Sequence, residues 1–144
     1  SDSDSLSRKL PLDVQQLENT IKYLNQIKDI TNKLILFGPH LEPNVDLNRK
    51  TIQAMFKNNF SNLSILDKTN KDLIFVDKRL KEMSKKNNIE YISKIEAIQF
   101  NFSKDFVVDS KLTFSDTDHW NEFGEIFFGE RLIYNTNLKR ILFP

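Results

Sequence analysis

From Asp13 onward, apolar residues return every three or four positions. Val14, Leu17, Ile21, Leu24, Ile27 and Ile30 fall on one face of an amphipathic helix, with Pro11 ahead of it and Asp13 placed to cap it. The period then breaks. Lys33-Leu34-Ile35-Leu36-Phe37 is a short, mostly apolar run closed by Gly38-Pro39, which predicts a strand buried on both faces, as in a parallel sheet. Gly38 to Asn44, with two prolines, cannot hold regular structure and is expected to be a loop leaving the strand's carboxyl end. In open α/β sheets ligands bind at that end, which makes His40 and Glu42 candidates for lining a site. A rigid surface loop explains the same residues equally well.

Further along, Asn48 to Phe56 predicts a short helix with Ile52, Met55 and Phe56 turned inward. Asn58 to Lys68, rich in Asn and Ser, is expected to be a connection. Thr69 or Asn70 is placed to cap a helix running to about Lys86, on Leu73, Ile74, Val76, Leu80 and Met83. Asn87-Asn88 stops it, and Ile89 to Ile92 predicts a second strand. Lys94 to Phe102 is ambiguous, with a helical turn starting at Ser93. Phe106-Val107-Val108 and Leu112-Thr113-Phe114 predict short strands around a turn at Asp109-Ser110. A last helix, about Asn121 to Tyr134, presents Phe123, Ile126, Phe127 and Leu132 to the core.

Helices alternating with short apolar strands mean α/β with a largely parallel sheet. Two clear strands are fewer than the usual four to six or so, so either further strands lie unread within the chain or, the favoured expectation, the first strands of the sheet lie upstream of Ser1. The 144 residues suit one domain, with 1–11 loose. A net charge of +1 with scattered Lys and Arg argues against a nucleic-acid partner. With no cysteine and two histidines, there is no thiolate metal site and no cluster with metal-ligand spacing, so neither metal nor cofactor is expected.

The candidate chemistry lies in Asp116-Thr117-Asp118-His119-Trp120. An Asp three residues before a His can turn back and accept the ring's Nδ1–H. That bond fixes the tautomer and leaves Nε2 to take a proton from a hydroxyl. The competing explanation is helix capping by Asp116 or Asp118, with His119 a surface residue. Both stand at this stage.

Asp116 to Gly124 resembles the last motif block of the SGNH (GDSL-like) hydrolases, most of all the SGNH domains attached to membrane acyltransferases that modify bacterial surface polysaccharides. There an Asp-x-x-His loop precedes the C-terminal helix and a Gly follows five residues after the His, the place of Gly124. Leu34 to Pro39, with Glu42-Pro43, is similar to a strand and loop of the same domains. The resemblance implies a three-layer, mostly parallel sheet flanked by helices (the flavodoxin-like SGNH fold), incomplete at its N-terminus. It also implies ester hydrolysis or O-acyl transfer, acetyl above all, on a carbohydrate, with His119 as general base and Asp116 orienting it. The family's Gly-Asp-Ser nucleophile block and its oxyanion Gly and Asn blocks precede the matched elements and have no counterpart here. The serine is therefore expected outside this chain, and these residues alone are expected to be inactive. Attachment to a membrane acyltransferase would place the domain outside the cytoplasm. The rival is a non-catalytic glycan- or partner-binding module using the Gly38–Asn44 loop and Trp120.

Overall fold

The computed structural model describes residues 13–43, 47–57 and 71–143. The expected loose segment 1–11, the connection over 58–68, the cap at Thr69 or Asn70 and the inward turn of Met55 lie outside what is described. The chain is mixed α/β. Its elements run α1 (Val14–Ile27), a 3-10 turn (Lys28–Ile30), β1 (Ile35–Phe37), α2 (Arg49–Lys57), α3 (Lys71–Lys86) and β2 (Glu90–Ile92). They continue with α4 (Lys94–Ile98), α5 (Phe102–Asp105), β3 (Val107–Val108), β4 (Lys111–Leu112), α6 (Glu122–Asn135) and α7 (Leu138–Leu142). Among the described residues, no helix is long and apolar enough to cross a membrane.

Local chemistry sets most boundaries. The Asp13 carboxylate accepts from the Gln16 amide at 3.1 Å and opens α1, as its sequence position predicts. The 3-10 turn is tighter than the α-helix, which rotates Ile30 off the apolar stripe and leaves it 81% exposed. Asn88 takes a left-handed φ of 53°, and the Ile89 amide reaches back to the Ser84 carbonyl at 2.9 Å, closing α3. Ser93 caps α4 by accepting from Glu96 at 3.0 Å. Asp109 and Ser110 both have positive φ, 49° and 61°, as a two-residue hairpin turn between β3 and β4 requires.

β1 and β2 pair in parallel, Ile35 with Glu90, Leu36 with Tyr91 and Phe37 with Ile92. The Gly38 amide extends the pairing to the Ile92 carbonyl at 2.8 Å. β1 is not buried on both faces as expected: Ile35 and Leu36 are half-buried and Phe37 is 40% exposed. Among the described residues β2 is its one strand neighbour. β3 and β4 form a separate antiparallel pair.

Two cores result. Ile21, Leu80 and Ile89 join α1, α3 and the parallel strands, with Leu17, Leu34, Leu36 and Tyr91 packed at the margin. The second is aromatic: Phe102, Phe106, Phe114 and Phe128, with Leu47 and Ile98. Here α6 differs from expectation. Phe128 is fully buried, Phe123, Phe127 and Leu132 are half-buried, and Ile126 is 60% exposed. The buried line runs from Gly124 to Phe128, one helical turn apart. In α2, Phe56 is likewise exposed rather than turned inward.

Gly124 is where α6 crosses the backbone of Thr113, and a Cβ there would overlap the Thr113 carbonyl. Gly124→Ala should therefore cost about 1–3 kcal/mol by overpacking. Denaturant melts check this, and an unchanged midpoint would mean that α6 does not press on Thr113.

Candidate active site

The loop before α6 is closed like a small hairpin. The Ser115 amide donates to the His119 carbonyl at 2.9 Å, and Phe114 bridges Trp120 across it. Thr117, buried at the tip, accepts from the Leu47 amide at 3.0 Å. Asn121 secures the base. Its side chain donates to the Leu112 carbonyl at 2.7 Å and accepts from the Gly124 amide at 2.8 Å. Asn121 is thus the cap of α6, and neither Asp116 nor Asp118 caps that helix.

Asp116 instead folds back on its own loop. Its Oδ1 accepts from the amides of Asp118 at 3.0 Å and His119 at 2.8 Å, a side-chain turn that Asp favours. The same carboxylate meets the His119 ring, with Nδ1 2.9 Å from Oδ1 and 3.0 Å from Oδ2. A carboxylate can only accept, so Nδ1 carries the proton and Nε2 is left basic. Burial alone would raise the Asp116 carboxyl. The Asp118 amide, the His119 ring and the His119 amide outweigh it and hold the group below its ordinary value. The bond and charge of Asp116 push the His119 imidazole above its ordinary 6.5. The two shifts run in opposite directions, and both favour the charged form of the pair. The His119 side chain is 72% exposed, and among the described residues no hydroxyl bonds its Nε2.

His40 arrives from the carboxyl end of β1. Its Nε2 lies 3.2 Å from the Asp118 carbonyl, to which it must donate, and its ring lies 4.4 Å from that of Trp120. Burial first, and Lys94 second, push its pKa down to about 4, so it is neutral at pH 7. His40 is thus a tie between two loops. Trp120 is half-buried between His40 and Phe128, whose ring is 4.9 Å away, and serves as a wall more than an open platform. Glu42 is half-buried, and its charge acts on both His119 and Lys94.

Lys94 was not singled out by the sequence. It follows the carboxyl end of β2, with its ammonium 5.9 Å from the Trp120 ring centroid. Burial lowers its pKa, and Glu42 only partly offsets this. The one clue was its place directly after a strand.

Asp116, Asp118 and His119 also offer oxygen and nitrogen atoms within 4.8 Å of one another. A cation bound through Nδ1 would have to displace the hydrogen bond to Asp116, and one bound through Nε2 would occupy the basic nitrogen. A cleft of about 850 Å³ lies between α6 and α7, lined by Ile133, Tyr134, Arg140 and Phe143 among others, and it contains none of these groups. The chemistry marks the site better than the volume does. No family model matches the chain, and no characterised protein matches it.

Proposed function

We propose that Asp116 and His119 are the acid–base half of a Ser-His-Asp triad that hydrolyses or transfers an acyl ester, acetyl above all, on a carbohydrate. The observation that carries this is the two-oxygen contact of Asp116 with Nδ1, which leaves Nε2 basic and directed away from its orienting partner. His119 takes the proton of a serine as it attacks the ester carbonyl, then returns it to the leaving alcohol. Asp116 stabilises the charged ring in between. The serine belongs to a segment outside these residues, and that segment would also cover the exposed face of His119.

The finer architecture is part of the same proposal. A three-layer, mostly parallel SGNH-type sheet would continue from the β1–β2 pair, and the parallel pairing together with the site at its carboxyl end supports it. Attachment to a membrane acyltransferase, on the extracytoplasmic side, is the corresponding setting. A non-catalytic glycan- or partner-binding module is the second reading. It is favoured by one observation: among the described residues no hydroxyl bonds Nε2 of His119, the nearby Ser115 hydroxyl donating to the His119 carbonyl instead.

Turnover of p-nitrophenyl acetate separates the two. The 144-residue chain should give background rates, and a longer parent chain carrying the serine should turn over with dependence on His119. Equal background from both, with and without His119→Ala, would leave the binding module standing. Robust His119-dependent turnover by the 144 residues alone would place the nucleophile within them.

A further inference from the structure

Asp77 is a carboxylate only 3% exposed, on the inner side of α3. Two hydroxyls close on it. The Tyr91 phenol donates to one oxygen at 2.7 Å and the Ser93 hydroxyl donates to the other at 2.7 Å. Burial first, and then the bond to Asp77, push the Tyr91 phenol above its ordinary value, so it remains a donor at neutral pH. Ser93 also accepts the Glu96 amide, which ties the cluster to the start of α4, where Lys94 follows. From β1, Gly38 lies flat against the cluster, and a Cβ there would overlap Tyr91 Oη and Asp77 Oδ1.

Burying a carboxylate against neutral hydroxyls is a costly way to fill a core, and an apolar side chain would serve packing better. The cluster is satisfied as a set, however, and such a set fixes one geometry. Its contacts all converge on the two turns at the carboxyl ends of β1 and β2. One turn delivers His40 to the Asp118 carbonyl, and the other delivers Lys94 to the Trp120 ring.

We propose that Asp77 is a positioning residue. Through Tyr91, Ser93 and Gly38 it sets the turns that carry His40 and Lys94, and these hold the Asp116–Trp120 loop in place. The role rests on the site assigned above, but its test does not need turnover. Trp120 is the chain's one tryptophan, and its ring is close enough to His40 for the carbon-bound protons of that imidazole to feel its ring current.

Asp77→Asn should move the His40 proton signals toward unshifted positions and displace the Trp120 indole signal in NMR spectra, at temperatures where circular dichroism shows an intact fold. Tyr91→Phe should do the same to a smaller degree, and it carries the test where Asp77→Asn does not fold. Leu80→Val, three residues along the same helix in the neighbouring core of Ile21 and Ile89, on whose margin Tyr91 also packs, removes no hydrogen bond of the cluster and should move the two signals less than either variant. Unmoved His40 and Trp120 signals in the Asp77 variant, or in the Tyr91 variant where it stands in, would overturn the role. So would an equal displacement in Leu80→Val, which would make Asp77 one more core residue. Displaced signals in a parent chain lacking His119-dependent turnover would uphold the positioning role and sink the esterase reading alone.

Discussion

Phe128→Ala should destabilise the chain by about 3–5 kcal/mol, the usual cost of truncating a fully buried aromatic. Phe128 is 0% exposed. Its ring meets Phe100 edge-on at 5.7 Å, Phe114 at 6.2 Å, Trp120 at 4.9 Å and Phe127 at 5.2 Å. Removing it opens a cavity under the Asp116–Trp120 loop that none of these rigid rings can fill. Phe127→Ala should cost less, because that ring is half-buried and one of its partners is the Arg131 guanidinium at 4.5 Å. The two variants compared in urea melts settle the order. A larger loss for Phe127 would mean that α6 is rotated by about 100°, one residue on a 3.6-residue turn.

The contrast within α6 shows where the sequence stopped being informative. α1 has charged and polar residues between its apolar ones, so its face could be read from spacing alone. In α6, Phe123, Ile126, Phe127, Phe128 and Leu132 leave little polar contrast, and the period that would single out Phe128 is hidden. Gly124 was legible as a feature, but only the fold shows that the Thr113 carbonyl excludes a side chain there. The Asp116–His119 contact is local, three residues apart, and was readable for that reason. Lys94 and Asp77 were not, because each matters through partners that the chain brings in from other elements. Asn121 was the cap that the competing explanation had assigned to the aspartates. Its side chain reaches the Leu112 carbonyl, nine residues back, as well as Gly124.

In a parent chain that carries the serine, His119→Ala should lower kcat/KM by about 10²- to 10⁴-fold, the worth of positioned acid–base catalysis. KM should change little, since an imidazole at Nε2 acts on the proton in flight more than on the bound ester. Asp116→Asn should cost a comparable factor while leaving His119 in place, because the ring loses the acceptor that fixes its tautomer. The pH profile carries the sign. A raised His119 pKa means that the basic form fills only above the ordinary 6.5, so the acid limb of kcat/KM should have its midpoint above that value. Asp116→Asn should move the midpoint down. The same linkage acts on stability. The His119 contribution is present at low pH and fades as pH rises through its raised pKa, whereas that of Asp116 fades as pH falls through its lowered one. An acid limb that stays put when Asp116 is replaced would remove Asp116 from the mechanism.

The most direct measurement is the ¹⁵N NMR titration of His119, since it reads tautomer and pKa together on the chain itself. Above its pKa the neutral ring should carry its proton on Nδ1. The pKa should lie above 6.5, and Asp116→Asn should both lower it and return the ring to the Nε2-protonated form that free imidazoles prefer. A His119 already protonated on Nε2, with a pKa that does not respond to Asp116→Asn, would contradict the acid–base pair and leave the loop as structure only.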